Sequence, residues 1–353
     1  IRPTGAANGS PHRLPEATMS DAPRISLTEA TDLLLSVFQN AGVPRDAALS
    51  VARALVAAEA EGQVGHGFSR LDDYVAQAKS GKINAQAQIS VTQRAPASLM
   101  IDADLGFAYP ALDAAFDAGV PLAHKMGIAV MAIGNSHHCG ALSVQVDRIA
   151  KAGLIAIMVA NTPKAIAPWG ASAAVFGTNP IAFATPQAGA EPLVIDLSLS
   201  RVARGKVMAA KKSGNPIPEG WALDAEGQPT TDPEAALAGT MVPIGQAKGT
   251  ALALMVELLA AAFTGSAFSH QAGSFFNAAG PAPRVGQTLI AIQPDAASDY
   301  LDRVQDLLST IASMDGTRLP GDRRRAAIQK AQTDGLPVSA EHLALARRLA
   351  KTT

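Results

Sequence analysis

The decapeptide Glu61-Gly-Gln-Val-Gly-His-Gly-Phe-Ser-Arg70 sets a histidine between two glycines and an arginine four residues beyond it. Glycine lets a backbone bend and approach a ligand closely. Histidine exchanges a proton near neutral pH, and a guanidinium grips a carboxylate through two parallel hydrogen bonds. A proton donor, His66, beside an anion clamp, Arg70, points to a small carboxylate substrate; the alternative is a loop histidine with a surface arginine. Three further stretches carry comparable chemistry. Gly134-Asn-Ser-His-His-Cys-Gly-Ala-Leu142 joins an apolar strand to a helix, so its amides and the helix start suit a pyrophosphate, the plain alternative being a capped polar turn. His137 and His138 lack Asp, Glu or His companions at ligand spacing, so no metal site is expected there. Lys248 stands at the glycine-flanked helix start of Pro243-Ile-Gly-Gln-Ala-Lys-Gly249 as a phosphate or carboxylate binder or a solvated cap, and Arg318-Leu-Pro-Gly-Asp-Arg-Arg324 wraps basic residues around a Pro-Gly turn, either gripping a phosphate or decorating an exposed helix start.

The elements that must position these residues follow from hydrophobic spacing. Ser26-Leu-Thr-Glu29 is a capping box; Leu33, Leu34, Val37 and Phe38 follow at helical spacing to a stop near Gly42. Pro44 opens a second helix striped by Ala47, Val51, Leu55 and Ala58 and ending at Gly62. His66 therefore lies at or just beyond a helix C-terminus, where the dipole favours its protonated form. Leu71 and Tyr74 resume helical spacing, so the first hundred residues read as a helical layer. From Ser98 strands and helices alternate: strand Leu99–Asp102, helix 110–126, strand Ile128–Ile133, helix 140–152, strand Leu154–Val159, then strands Val175–Thr185 and Leu193–Leu197. After a turn-rich excursion at 221–232 come an apolar helix over Thr250–Phe263, a strand at Thr288–Gln293, a helix over 297–313, and a last helix capped by Ser339. This is an α/β layered chain, and no G-x-G-x-x-G follows a strand, so a nucleotide site must be built in another way than the Rossmann fingerprint.

Composition narrows the class. The chain has 353 residues, 48% hydrophobic with 4% aromatic, and a net charge of −1 with both signs mixed, which excludes a nucleic-acid surface or a polybasic membrane patch and leaves a small-molecule partner. The single cysteine, Cys139, excludes an intrachain disulfide and fits a cytoplasmic location. Residues 1 to about 22 have no apolar signal region; they read as a disordered leader, with Met19 a plausible start. The apolar run Ala251–Phe263 is interrupted by Glu257 and is too short to span a bilayer.

Taken in order, G-Q-V-G-H-G-x-x-R, S-H-H-C-G-A-L, F-G-T-N-P, D-L-S, A-K-G and L-P-G-D-R-R resemble the malate/L-lactate dehydrogenase-like family of nicotinamide oxidoreductases, from about residue 25 onward. Within it the chain is most similar to the Δ1-piperideine-2-carboxylate/Δ1-pyrroline-2-carboxylate reductase branch. The resemblance implies a helical domain formed by both chain ends (23–100 with 297–353), an α/β NAD(P)-binding domain between them (101–296), and a homodimer. It implies that His66 is the proton donor, Arg70 the substrate-carboxylate ligand and Thr178 a substrate contact. It places His138, Cys139, Gly140, Ala141 and Leu142, then Asp196, Leu197 and Ser198, then Gln246 to Lys248, and finally Arg318, Leu319, Pro320, Gly321, Asp322, Arg323 and Arg324 along the cofactor. Two departures stand out: Gly65 replaces the serine that usually precedes the catalytic histidine, and Ala247 replaces a histidine that often precedes the lysine.

The implied chemistry is reduction of a cyclic imine 2-carboxylate to L-proline or L-pipecolate, an entry into proline metabolism. Arg70 fixes the carboxylate, orientation does much of the catalysis, and the ring nitrogen takes its proton from His66, with His138 as the rival donor. The arginines of 318–324 favour NADPH, whereas Asp322 would suit the ribose of NADH. An imine can carry its proton before the hydride arrives, so the loss of the serine at Gly65 favours imines over ketones. The competing readings are an NAD(P)-dependent 2-hydroxyacid dehydrogenase of malate or lactate type and a non-catalytic carboxylate-binding protein.

Overall fold

The computed structural model describes residues 22–351, so the expected leader and the start at Met19 lie outside the described residues. A short strand β1 (Arg24–Ile25) leads into α1 (Leu27–Asn40) and α2 (Arg45–Ala60); two 3₁₀ turns, Val64–His66 and Phe68–Arg70, run directly into α3 (Leu71–Ser80). The capping box forms as its spacing requires: Glu29 N–H donates to Ser26 Oγ at 3.1 Å and Ser26 N–H to Glu29 Oε2 at 2.8 Å. Next come β2 (Ser90–Ala95), β3 (Ser98–Asp102), α4 (Ala108–Met126), β4 (Ile128–Ser136), α5 (Leu142–Lys151), β5 (Ile155–Ala160), β6 (Ile181–Gln187) and β7 (Ala190–Leu197). An excursion follows, with α6 (Arg204–Ser213), β8 (Ala222–Leu223), β9 (Pro229–Thr230), α7 (Pro233–Ala238) and β10 (Thr240–Met241). The chain returns through α8 (Ala247–Glu257), which loosens into a π-helical turn at Leu258–Ala262, then β11 (Val285–Ile292), α9 (Tyr300–Ala312), α10 (Asp322–Asp334), β12 (Leu336–Pro337) and α11 (Ala340–Ala350).

The main sheet has the order β2-β3-β4-β11-β5-β6-β7. Only β3 and β4 run parallel, joined by α4; every other neighbouring pair is antiparallel. A mixed, largely antiparallel sheet of this order is not a doubly wound Rossmann sheet, as the missing glycine fingerprint implied. Alternate residues of the central strands face opposite layers. Ala129, Met131 and Ile133 of β4, Ala156 and Met158 of β5, and Leu289 and Ala291 of β11 join a core shared with α1, α2, α4, α5 and α11. On the other face Val159 belongs to a second core with Val256 and Ala260 of α8 and its π turn, Val207 of α6 and Met241 of β10.

Both chain ends build the helical layer. α1 packs against α2 and α11, and β1 pairs with β12. The sheet, however, begins at Ser90 rather than near residue 100: β2 is an edge strand of six exposed, mostly polar residues, which gives it no hydrophobic alternation to read. The strand expected over Val175–Thr185 starts only at Ile181, because Asn179 takes a left-handed φ of 39° and Pro180 has no amide to donate. The helix expected from residue 297 starts at Tyr300, after a turn capped by Asp295. Among the described residues no helix is long and apolar enough to cross a membrane.

Candidate active site

His66 ends the first 3₁₀ turn after α2 and Arg70 ends the second, so three residues of tightly turned backbone separate them. The turn is fixed from behind by Glu59. Its buried carboxylate accepts the Phe68 amide at 2.8 Å, and a Cβ on Gly67 would lie 2.0 Å from Glu59 Oε2, so only glycine permits this approach. Burial pushes the Glu59 carboxyl up to about 7. Gly65 is different: its φ is not left-handed and a Cβ there would meet nothing within 4 Å. The backbone at residue 65 thus does not require glycine.

Arg70 turns its Nε–H onto the Gly65 carbonyl at 2.6 Å, lies 5.0 Å from the centre of the Phe276 ring, and reaches Asp73 only at 3.9 Å. With Nε anchored, the outer edge of the guanidinium is left for a ligand. The His66 ring stacks on His138, with centroids 5.3 Å apart and planes at 22°. His66 Nδ1 is buried with no partner. The sequence reading gave His66 a protonated form through the helix dipole. The structure reverses this: burial first and the Arg70 charge second push the imidazole down to about 4. A terminal dipole contributes about 0.3–1 kcal/mol, less than the loss of hydration in this setting.

His138 is also neutral, held well below the usual imidazole range by burial, then Arg70, His66 and His137. Its Nδ1 lies 2.6 Å from Tyr74 Oη, which in turn lies 3.1 Å from Tyr109 Oη. His137 points elsewhere: Nε2 donates to Gln77 Oε1 at 2.9 Å, while the Gln77 amide donates to the Phe275 carbonyl. Among the described residues no group of three or more His, Cys, Asp or Glu could hold a metal ion.

The stretch 134–142, expected to suit a pyrophosphate, runs from the end of β4 to the start of α5. His138, Cys139, Gly140, Ala141 and Leu142 are all buried, and the α5 start already has an anion, because the Ser143 amide donates to Asp196 Oδ2 at 2.9 Å. Asp196, expected along the cofactor, thus caps α5. A second polar knot grows from there. Ser143 Oγ and Gln63 Nε2 both donate to Glu61 Oε2, and Arg324 Nε lies 3.3 Å from the same oxygen. Burial pushes Glu61 up to about 7 against the lowering effect of Ser143 and Arg324. Arg324 ties α10 to the start of the His66 loop through its Nε, and Asp322 is taken by Arg325 at 2.9 Å and by the Leu319 amide.

Leu197 is exposed, and Ser198 Oγ lies 2.6 Å from Ser200 Oγ. Arg318, Pro320, Arg323 and Lys248 are exposed, and Gly321 opens α10 with a φ of 88°. The side chains of Arg318, Arg323 and Lys248 have no hydrogen-bond or ion-pair partner among the described residues, which suits them to a phosphorylated cofactor. Thr178 lies apart from the histidines: its amide donates to Thr162 Oγ1 at 3.0 Å, beside a buried network in which Asn179 and Ser269 donate to Glu257. Among the described residues, His66, Arg70 and His138 come together, and no hydrogen bond or ion pair joins Thr178 or Lys248 to them. Sequence reasoning missed Tyr74, Tyr109, Glu59 and Phe276. Tyr74 stood out only for its helical spacing, and nothing local signals where its hydroxyl goes.

Comparison with known proteins supplies the setting. The pattern of the malate/L-lactate dehydrogenase family matches residues 25–345. The chain is 53% identical over 303 residues to (2R)-3-sulfolactate dehydrogenase (NADP(+)) of Chromohalobacter salexigens, covering 86% of this chain and 91% of that one. It is 40% identical to the Δ1-pyrroline-2-carboxylate/Δ1-piperideine-2-carboxylate reductase of Pseudomonas putida, covering 91% and 95% of the two chains. The crystal structure of Δ1-piperideine-2-carboxylate reductase from Pseudomonas syringae pathovar tomato superposes with a TM-score of 0.88 at 36% identity, over 93% of this chain and 99% of the other.

Proposed function

The chain belongs to the malate/L-lactate dehydrogenase family and is an oxidoreductase; we propose that it is an NADP(H)-dependent 2-hydroxyacid dehydrogenase, acting on a small acid of the sulfolactate kind. The observation that carries this reading is the pairing of Arg70, its Nε held by the Gly65 carbonyl and its outer edge met only by a 3.9 Å approach to Asp73, with two neutral stacked imidazoles. Ketone reduction builds negative charge on oxygen and needs an oriented donor. The missing serine at Gly65 leaves His66 Nδ1 without a partner, but His138 is oriented through Tyr74. The demand that seemed to favour imines is thus met by a second imidazole.

When bound, the nicotinamide supplies hydride to C2 of the substrate. The remaining steps belong to the chain. Burial first and the Arg70 charge second suppress His66; the substrate carboxylate pairs with Arg70, offsets the second cause and places a negative charge beside the ring, so that His66 takes up a proton and delivers it to the developing alkoxide. His138 donates a hydrogen bond to the same oxygen. Arg318, Arg323 and Lys248 are the residues we assign to the cofactor phosphates, with NADPH the preferred form. The same reading expects a homodimer, a second copy covering the exposed Leu252, Met255, Leu258 and Phe263 of α8 and the turn beyond it.

The second reading is the cyclic-imine reductase, favoured by the relatives of that name, which match nearly the whole chain. The decisive experiment follows NADPH oxidation with 3-sulfopyruvate, oxaloacetate, pyruvate, Δ1-pyrroline-2-carboxylate and Δ1-piperideine-2-carboxylate. Highest kcat/KM on a 2-oxoacid is expected; an imine preferred tenfold or more over every 2-oxoacid overturns the first reading in favour of the second, and turnover of none leaves a carboxylate-binding protein.

A further inference from the structure

Three hydroxyl and imidazole groups form one line behind the site: Tyr109 Oη, Tyr74 Oη and His138 Nδ1, separated by 3.1 and 2.6 Å. Tyr74 is fully buried and Tyr109 and His138 nearly so, and Tyr109 Oη has no other hydrogen-bond partner among the described residues. The direction of the line follows from counting donors. If Nδ1 carried the proton, it would donate to Tyr74, Tyr74 would donate to Tyr109, and the Tyr109 hydroxyl hydrogen would be buried without an acceptor. An unmet buried donor costs about 1–3 kcal/mol. Run the other way, Tyr109 donates to Tyr74, Tyr74 donates to Nδ1, and both hydroxyl hydrogens have an acceptor. Burial raises both phenols above their ordinary range, so neither gives up its proton.

We propose that Tyr109 and Tyr74 are positioning residues that lock His138 as its Nε2–H tautomer, turning the imidazole into a fixed hydrogen-bond donor toward the reacting oxygen of the substrate. His138 Nε2 makes no hydrogen bond among the described residues and is not among the buried unpartnered atoms, so it keeps some accessible surface. The groups facing the ring are Tyr74, His66, His137 and Phe275, with Arg70 acting at longer range; none is a carboxylate that would draw a proton to Nδ1. The division of labour follows: His66, with an unpartnered Nδ1, handles the mobile proton, and His138 holds still. This assignment deepens the oxidoreductase reading and rests on it for the identity of the reacting oxygen, but the tautomer itself does not depend on any substrate.

The test uses the full chain labelled with ¹⁵N-histidine, without substrate or cofactor, and reads the long-range ¹H–¹⁵N pattern of His138, assigned by its loss in His138→Gln. An Nε2-protonated pattern is expected, and Tyr74→Phe should convert it to a mixture of tautomers. In activity, Tyr74→Phe should lower kcat at least tenfold with KM changed less than threefold, and Tyr109→Phe should do so to a smaller degree. An Nδ1-protonated pattern in the wild-type protein overturns the proposal whether or not the variants fold. So does a Tyr74→Phe protein that folds and keeps both pattern and kcat. An Nε2–H pattern in a protein inactive on every substrate offered would leave the tautomer standing and remove the proposed function instead.

Discussion

The imidazoles of His66 and His138 lie face to face at 5.3 Å, and burial first and the nearby Arg70 charge second disfavour a proton on either ring. Two cations at this separation repel strongly in a water-poor site, so the pair accepts one proton at most. In the oxidation direction His66 must be neutral to accept the substrate proton. Its value of about 4 in the free enzyme lies below the ordinary 6.5, so kcat/KM for oxidation should stay level between about pH 6 and 8 and fall only below about pH 5. A midpoint near 6.5 would show that the ring is not suppressed.

Arg70→Ala should lower kcat/KM by about a hundredfold or more, since a lost charge-assisted clamp is worth about 3 kcal/mol. Arg70→Lys should be nearly as poor, because a single ammonium cannot bind the Gly65 carbonyl and still present a two-pronged edge. Steady-state kinetics of both folded variants checks this; a lysine variant within threefold of wild type removes the fork geometry from the argument.

The two glycines flanking His66 should behave oppositely. Gly67→Ala drives a methyl onto the Glu59 carboxylate and should cost about 1–3 kcal/mol, read as a lower urea midpoint. Gly65→Ser meets open space and should change stability by less than about 0.5 kcal/mol. If the new hydroxyl reaches the orphan Nδ1 of His66, reduction of a 2-oxoacid should rise severalfold relative to a cyclic imine. An unchanged ratio would mean that His66 is oriented by something other than its Nδ1.

Glu59 makes the fold sensitive to alkali. Its folded value of about 7 exceeds the ordinary 4.5, so the folded state binds the extra proton; the stability this gives is whole below pH 4.5 and is lost as pH rises through about 7. The difference corresponds to about 3 kcal/mol. Glu59→Gln keeps an acceptor for the Phe68 amide and should be more stable than wild type at pH 8 but not at pH 4. Equal thermal shifts at both pH values would contradict this account.

The exposed arginines should separate from the one paired with Glu61. Arg318→Ala and Arg323→Ala should raise KM for NADPH at least fivefold with little effect on Tm, whereas Arg324→Ala leaves the Glu61 carboxylate without its cation and should lower Tm by several degrees. A clear kinetic preference for NADH would sink the phosphate assignment for Arg318 and Arg323.

What could be read from sequence was local. Ser26 and Glu29 lie three residues apart and cap α1 by their own bonds, and the apolar runs of β4 and β5 declare buried strands. β2 was silent because an edge strand exposed on every residue has no pattern to show, and α10 showed only as an exposed helix start after Arg318 because its polar stretch buries only Ala331. His66 and Arg70 are four residues apart and could be paired on sight. Tyr74 with His138 is 64 residues apart, and Glu61 with Arg324 joins opposite ends of the chain; no spacing rule links such residues, because tertiary packing alone brings them together. The dipole argument for His66 failed for the same reason, since desolvation is a property of the whole fold.

β11 lies between β4 and β5 and pairs antiparallel with both, although more than a hundred residues separate it from either in the sequence. During synthesis β4 and β5 are therefore finished long before their common partner exists, each showing an unpaired edge rich in Ile, Val and Met. Closing so long a loop is slow, and waiting edges invite association with other chains. The nascent polypeptide should depend on chaperones until residue 292 has left the ribosome, and refolding should be slower than chain length alone suggests. A fragment ending before Val285 would contain the whole His66 loop, His138 and both tyrosines, and would hold none of them in place.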